Sequence, residues 1–198
     1  MIRAAAISFD LDETLWRLGD VLQRAEAAAR AHAAREHPGF AAAWQPAAIA
    51  PLRREVLRRW PGIAHDPTEI RLRVLQALAR QCGAPAHVAE GAMAVFLDAR
   101  NAVELYPETL GVLDALTGRY RLVALTNGNA DVHKVGLGHY FEAALQAGAV
   151  GAAKPSPRMF EAACRAVGAG PEELVHVGDD PEADVVGAAN AGLHAVWL

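Results

Sequence analysis

Apolar residues along this chain fall into five short runs, each bounded by polar or turn-forming residues. The runs are residues 4–10, 121–125, 145–150, 174–177 and 194–198. Short apolar runs bounded in this way are typical of buried strands. The run at 145–150 is the weakest candidate, because its glycine and alanines lower the propensity for a strand. The pattern therefore predicts a sheet built from these five segments.

Between residues 19 and 101 the apolar positions recur at the spacing of a helix, and prolines interrupt them repeatedly. Leu72, Leu75, Leu78 and Ala79 fit one apolar stripe, which is the pattern of a helix with one buried face. The stretch 17–102 is therefore predicted to be an all-helical insertion, placed directly after the first strand.

Helix and strand patterns alternate in the rest of the chain. One helix is expected to bury Leu110, Leu113 and Leu116, and two others are expected to begin at Pro157 and Pro181. Alternation of this kind implies a mostly parallel sheet covered by helices on both faces. The predicted division is an α/β core of residues 1–16 and 103–198, with the helical insertion at 17–102.

Composition and charge exclude several classes of function. Apolar residues make up 53% of the chain and charged residues 21%, which is ordinary for a soluble globular protein. The net charge of -4 leaves no broad basic surface for nucleic acid. Cys82 and Cys164 lie far apart without companion ligands, so neither a disulfide framework nor a zinc site is expected. The first apolar run is too short to span a membrane and lacks a signal-peptide layout, so we expect a cytoplasmic protein without a membrane partner.

Polar residues follow the ends of four predicted strands. In an open α/β sheet, ligands bind in the crevice at the carboxyl ends of the strands. Carboxylates, a hydroxyl and an ammonium group are therefore expected to converge there. The residues concerned are Asp10, Asp12, Thr126, Lys154, Asp179 and Asp180.

These residue types together predict phosphoryl chemistry. Clustered carboxylates repel one another unless a hard cation joins them, and oxygen ligands suit magnesium. The carboxylate of Asp10 can attack phosphorus, which divides one difficult displacement into two steps. Asp12 points to the same side in extended geometry and can protonate the leaving oxygen. Thr126 and Lys154 can stabilise charge on the phosphoryl oxygens.

Each segment also has an ordinary structural interpretation when it is taken alone. A turn explains Thr126-Asn127-Gly128, and an exposed loop explains Lys154-Pro155. The acids of Gly178-Asp179-Asp180 are also what the start of a helix favours. Their order along the chain, each at the end of a strand, is what favours a common site.

The four segments resemble the four motifs of the haloacid dehalogenase-like hydrolase superfamily. The segments are Asp10-Leu-Asp12-Glu-Thr14, Thr126-Asn127, Lys154-Pro155 and Gly178-Asp179-Asp180-Pro-Glu-Ala-Asp184. The resemblance covers essentially the whole chain and implies a Rossmann-like parallel sheet with helices on both faces. It also implies that the insertion is an all-helical, C1-type cap, as in the capped phosphatase branch of that superfamily.

The resemblance assigns a role to each position of the motifs. It implies Asp10 as nucleophile, Asp12 as acid/base, Thr126 as a phosphate ligand and Lys154 as the stabilising cation. Asn127 and Gly128 would join Thr126 in binding the substrate, and Thr14 would support the loop. Magnesium would be held by Asp10, the backbone carbonyl of Asp12 and Asp179. Whether Asp180 or Asp184 orients the metal site is left open.

Two further residues near the motifs are ambiguous. Trp16 follows the first motif and either lines the substrate pocket or packs at a hinge. His176 lies inside a strand beside the acidic motif, where a packed core histidine is a better interpretation than a catalytic one.

The predicted function is a magnesium-dependent phosphatase that acts on a small phosphorylated metabolite through an aspartyl-phosphate. The alternatives are a haloacid dehalogenase, a phosphomutase or a catalytically silent binding module. The dehalogenase branch generally lacks the second acid and needs no metal, so Asp12 argues against it. The opening motif is similar to that of a subgroup that includes flavin mononucleotide phosphatases, but the substrate and the oligomeric state are open. Relatives usually continue past the position of Leu198, so a longer native chain is also open.

Overall fold

Five parallel strands form the central sheet of this computed structural model, which describes residues 3–198. The five strands are β1 Ala6–Phe9, β4 Arg121–Thr126, β5 Ala143–Gln146, β6 Leu174–Gly178 and β7 His194–Trp197. The strand order is β5-β4-β1-β6-β7, so that the first strand of the chain lies in the middle. A two-stranded antiparallel ribbon joins β2 Trp16–Arg17 to β3 Glu104–Leu105.

Helices cover both faces of this sheet. In β1, Ala6 packs into one apolar cluster together with Phe160, and Ile7 packs into another together with Leu113. Neighbouring residues of a strand point to opposite faces, so the two clusters lie on opposite sides of the sheet. The helices of this part of the chain are α6 Thr109–Leu116, α7 Val132–Val135, α8 Ala147–Val150, α9 Pro157–Val167 and α10 Gly187–Asn190. The predicted α/β fold with a parallel sheet is confirmed.

The remaining helices form a second compact unit, Gly19–Ala102, while the chain up to Leu18 and Val103–Leu198 form the first. The helices of the second unit are α1 Val21–Glu36, α2 Pro38–Ala43, α3 Pro46–Arg59, α4 Pro67–Gln81 and α5 Ala86–Ala99. The predicted division after residue 16 falls inside β2, which pairs with β3 and so belongs to the first unit.

Local sequence signals explain where the helices of the second unit begin. Three of them start at a proline, whose missing N–H would have no partner in the first turn and whose φ already suits a helix. The side chain of Asp66 accepts a hydrogen bond of 2.9 Å from the N–H of Glu69 and so caps α4. Along α4, Leu75 and Leu78 are fully buried as the stripe predicts, whereas Leu72 is half-buried.

Two details of the predicted elements were wrong, and a third was correct only in part. The segment 145–150 is not one strand: β5 ends at Gln146 and α8 follows, since alanine favours a helix and Gly151 closes it with a positive φ of 75°. Leu110 is exposed, because residues three apart drift by about 60° around a helix and only Leu113 centres on the sheet. The helix expected from Pro181 is a π-helical segment, Pro181–Val186, followed by the short α10.

Among residues 3–198, no helix is long and apolar enough to cross a lipid bilayer.

Candidate functional site

The carboxyl ends of the central strands place the predicted site residues around one small cavity. Phe9, the last residue of β1, is in register with Ala124 of β4 and with Val177 of β6, so the three strands end within two residues of one another. The cavity has a volume of about 170 Å³. Its lining residues are Asp10, Asp12, Thr126, Asn127, Gly128, Lys154, Asp179, Asp180, Ala183 and Asp184. Every predicted site residue except Trp16 therefore borders this cavity.

Lys154 lies at the centre of the site, and its side chain is almost completely buried. The ammonium nitrogen Nζ donates to Oδ1 of Asp10 and to Oδ1 of Asp184, at 2.6 Å in each case. Two buried carboxylates thus share one cation, which offsets the desolvation of all three charges. The main chain of Lys154 is anchored as well. Its N–H donates to Asn127 Oδ1 at 2.7 Å, and its carbonyl accepts from Asn127 Nδ2 at 2.9 Å.

The side-chain amide of Asn127 is thus used to hold the Lys154 segment. The neighbours of Asn127 in the chain, Thr126 and Gly128, also line the cavity. Gly128 N–H donates to Thr126 Oγ1 at 2.9 Å, and Thr126 is 2% exposed. This hydrogen bond orients the hydroxyl while leaving its proton available to a ligand oxygen.

The two carboxylates bound to Lys154 differ in their pKa. Burial raises the pKa of Asp10 to about 6, although the nearby Lys154 ammonium opposes that shift. Burial also acts to raise the pKa of Asp184, but its hydrogen bond to His176 and the charge of Lys154 outweigh it and lower the pKa to about 2. Asp184 is therefore the partner of the lysine that is ionised at neutral pH, while the pKa of Asp10 lies closer to neutrality.

A buried polar chain leads from the sheet to Asp184. Ser8 and His176 are in register on β1 and β6, and Ser8 Oγ lies 2.9 Å from His176 Nδ1. His176 Nε2 lies 3.0 Å from Asp184 Oδ1. The imidazole is fully buried against the edge of Phe160, and burial lowers its pKa. His176 is thus a packed core histidine that also contacts the site.

Asp184 occupies space that only a glycine at position 178 leaves free. A Cβ on Gly178 would clash with Asp184 Oδ2. The same oxygen accepts from the N–H of Asp180 at 3.1 Å. The carboxylate of Asp180 is exposed and accepts from the N–H groups of Glu182 and Ala183, at 2.8 Å each, so it caps the following helical segment.

Three carboxylates in the described part of the chain are arranged so that they could hold a metal ion. One oxygen each from Asp10, Asp179 and Asp184 lies within 4.8 Å of the others. When ionised, these groups carry three negative charges against the one positive charge of Lys154, which matches a divalent cation. All-oxygen donors suit magnesium or calcium better than softer metals. The donor set therefore fits the predicted magnesium ion, with Asp184 rather than Asp180 beside it.

Asp12 is held by a residue that borders no part of the cavity. Trp16 is fully buried, and its indole Nε1–H donates to Asp12 Oδ1 at 2.8 Å. The turn between them is closed by the N–H of Glu13, which donates to the carbonyl of Trp16 at 2.8 Å. Glu13 itself has a φ of 62°, a left-handed conformation that is uncommon outside glycine, asparagine and aspartate.

Sequence reasoning missed the contributions of Ser8 and Gly178. Ser8 is the polar residue two positions before Asp10 in a buried strand, so the alternation of the strand places both on one face. That signal was present in the sequence. The need for Gly178 depends on where the Asp184 carboxylate lies and is visible only in three dimensions.

Comparisons with known proteins agree on the family. The protein-family model described as "Hydrolase: haloacid dehalogenase-like hydrolase" matches residues 4–192 of this chain. The 5-amino-6-(5-phospho-D-ribitylamino)uracil phosphatase YigB of Escherichia coli is 35% identical, over 99% of this chain and 84% of the relative. The phosphoserine phosphatase of Thermus thermophilus is 40% identical, over 73% of this chain and 58% of the relative.

A solved structure resembles the whole chain. The crystal structure named as a 2-haloacid dehalogenase from Pseudomonas syringae pv. tomato DC3000 superposes with a TM-score of 0.94 at 34% identity. The match covers 98% of this chain and 86% of that protein. The names of the similar proteins thus include both phosphate-ester and carbon–halogen hydrolases.

Proposed function

This chain belongs to the haloacid dehalogenase-like hydrolases, and on that premise we propose that it is a magnesium-dependent phosphatase that uses Asp10 as its nucleophile. The single observation that carries the proposal is the second acid, Asp12, on the wall of the cavity that also contains Asp10 and Lys154. The predicted family is confirmed; the reaction, its metal and the roles of the residues are proposals.

The first step is an attack of the Asp10 carboxylate on phosphorus, with departure of the alcohol. The bond between phosphorus and the alcohol oxygen breaks as the aspartyl-phosphate forms, and Asp12 gives that oxygen a proton. Lys154 supports the attack, because its ammonium group, at 2.6 Å, favours the ionised form of Asp10.

In the second step Asp12 takes a proton from water, and the resulting hydroxide displaces phosphate from Asp10. The hydroxyl of Thr126 and the ammonium of Lys154 stabilise the phosphoryl oxygens in both steps. Magnesium, held by Asp10, Asp179 and Asp184, would supply further positive charge against those oxygens when bound.

A haloacid dehalogenase is the second candidate, because the similar crystal structure carries that name. Chemistry separates the two reactions. A halide leaves as a stable anion and needs no proton, whereas an alcohol leaving a phosphate ester does. Asp12 would have no task as an acid in the departure of a halide. Cleavage of a carbon–halogen bond also places no charge on phosphoryl oxygens for a metal to stabilise.

The substrate is proposed to be a phosphate ester of a small alcohol. YigB, which aligns with 99% of this chain, is named for an ester in which phosphate is attached to a ribityl group. That compound is therefore the first to test, followed by phosphoserine and flavin mononucleotide. The leaving group of each of these three esters is an alcohol, which needs the proton that Asp12 provides.

The test is magnesium-dependent release of phosphate from p-nitrophenyl phosphate and from this panel. We expect activity in the wild type, no activity in Asp10→Asn, and a phosphorylated Asp10 in protein quenched during turnover. Release of chloride from 2-chloropropionate is measured in parallel. Folded, magnesium-loaded protein that releases chloride but no phosphate from any ester would overturn the proposal in favour of the dehalogenase.

A further inference from the structure

The side chain of Trp16 has one polar atom, the indole nitrogen Nε1, and that atom contacts the proposed acid/base, Asp12. The indole is fully buried among Leu11, Leu15 and Leu113, in the apolar cluster on one face of the sheet. A buried N–H without a partner costs about 1–3 kcal/mol, so the indole needs an acceptor. Its acceptor is Oδ1 of Asp12 at 2.8 Å.

The backbone of Trp16 is fixed from two sides. Trp16 pairs with Leu105 in the β2–β3 ribbon, and its carbonyl accepts from Glu13 N–H at 2.8 Å. The indole is therefore a donor in a fixed position, supported by strand pairing and by core packing. Asp12, in contrast, is half-buried on the cavity wall.

We propose that Trp16 is a positioning residue that holds the Asp12 carboxyl group on the cavity wall, where the oxygen of the leaving alcohol must receive its proton. The inference rests on the proposed phosphatase function and adds to it a residue that does not touch the substrate. The indole N–H binds Oδ1 of Asp12 and so fixes the direction in which this carboxyl group faces. A general acid contributes only when it is within hydrogen-bond reach of the leaving oxygen, so an Asp12 that lost this contact would be a weaker acid.

This role predicts an effect that depends on the leaving group. p-Nitrophenolate is a stable anion and departs without a proton, whereas the alkoxide of an alkyl phosphate requires one. The quantity kcat/KM reports the steps up to loss of the leaving group. Losing the indole N–H should therefore lower kcat/KM for an alkyl phosphate much more than for p-nitrophenyl phosphate.

The experiment compares Trp16→Phe with the wild type on both esters. Phenylalanine keeps an aromatic ring in the core and removes the donor. We expect the ratio of kcat/KM for p-nitrophenyl phosphate to that for the best alkyl phosphate to rise by about 10-fold or more, in the same direction as in Asp12→Asn. Trp44→Phe is the matched control, since Trp44 is equally buried but belongs to the helical unit. Its ratio should equal that of the wild type.

An unchanged ratio in Trp16→Phe, with a thermal unfolding curve showing folded protein, would overturn the proposal. A ratio that rises equally in Trp44→Phe would do the same, because the effect would then be a general response to a lost indole. If Trp16→Phe fails to fold, a second measurement on the wild type and on Asp12→Ala still tests the proposal. The indole N–H resonance of Trp16 in the wild type, compared with Asp12→Ala, shows directly whether the carboxylate is its acceptor.

The same resonance separates this inference from the proposed function. Wild-type protein that hydrolyses neither ester refutes the phosphatase, whatever the indole does. A Trp16 N–H whose chemical shift and hydrogen exchange are unchanged in Asp12→Ala refutes the positioning role, even if the phosphatase is active.

Discussion

The α/β unit and the helical unit are stabilised in different ways. At the ends of its strands the α/β unit buries Asp10, Lys154, His176 and Asp184, which contact one another. The core of the helical unit is mostly apolar, with three alanines of α1, at 25, 29 and 33, fully buried, and Arg100 is the charged side chain that this unit buries. Many sequences satisfy a requirement for small apolar side chains, whereas a network of charges requires particular residues. For that reason the chemistry can be read from one unit and not from the other.

Removing the central cation should produce the largest effect. Lys154→Met keeps the length of the side chain but leaves Asp10 and Asp184 buried without their partner. We expect a loss of about 3–5 kcal/mol in the free energy of unfolding, measured in urea at neutral pH, together with loss of phosphatase activity. The control is Arg165→Met, which removes an exposed ion pair of 3.8 Å to Glu161 and should cost under about 1 kcal/mol. Equal losses in the two variants would contradict the buried network.

The pKa of Asp10 predicts how the α/β unit responds to pH when no metal is present. Its folded pKa of about 6 is above the ordinary aspartate value of 3.8, so the folded state binds the proton more tightly. The resulting stability is complete below about pH 4 and is lost as the pH rises through about 6, by roughly 3 kcal/mol in all.

Urea unfolding in a chelating buffer measures this pH dependence. The loss between about pH 4 and 6 should be much smaller in Asp10→Asn, which has no group to titrate there. Identical pH profiles for the wild type and the variant would show that Asp10 does not carry the effect. Added magnesium should oppose the loss, because a bound cation favours the carboxylate.

Enlarging a small side chain tests the packing of the helical unit. Ala29 is fully buried on α1, and Ala29→Leu should destabilise by about 1–3 kcal/mol through overpacking. Ala27 lies on the exposed side of the same helix, so Ala27→Leu is the matched control and should change stability by less than about 0.5 kcal/mol. The two variants are compared by thermal and urea unfolding. A tolerated Ala29→Leu would mean that this core is looser than its buried alanines indicate.

A pair of substitutions at His176 should produce the smallest effect. In His176→Gln the amide nitrogen can occupy the position of Nε2 and donate to Asp184, whereas in His176→Asn the side chain is too short to reach it. We expect the free energy of unfolding in urea to be lower for His176→Asn than for His176→Gln by about 1–2 kcal/mol, because the shorter side chain leaves a hydrogen bond of a buried carboxylate unmade. Equal stabilities would show that the contact of 3.0 Å to Asp184 contributes little.

Much of this molecule could be predicted from local patterns. The order of strands and helices, the capping residue Asp66 and the buried stripe of α4 follow from spacing and propensity. The sequence also predicts that one edge of the sheet brings together Asp10, Thr126 and Asp179, because parallel strands end on the same side. The prediction was wrong at 145–150, where weak strand propensity was outweighed by an alanine helix closed at Gly151.

The roles of single side chains within the site could be predicted less well. The sequence left open whether Asp180 or Asp184 accompanies the metal; the structure has Asp180 capping a helical segment and Asp184 beside Lys154. Trp16 was expected either to line the pocket or to pack at a hinge; in the structure it is buried in the core and bound to Asp12. The sequence alone does not show which way the indole of Trp16 faces. The pairing of β2 with β3 fixes its direction.

By itself, then, the sequence determined the sheet, the helical insertion and the set of chemical groups that meet at the strand ends. These depend on periodicity and on the rule that parallel strands end together, both of which are local or topological. The tertiary structure alone decided which oxygen faces which nitrogen: the shared Lys154, the glycine that makes room for Asp184 and the indole that holds Asp12. Such contacts depend on distances between segments far apart in the chain, and no local pattern records them.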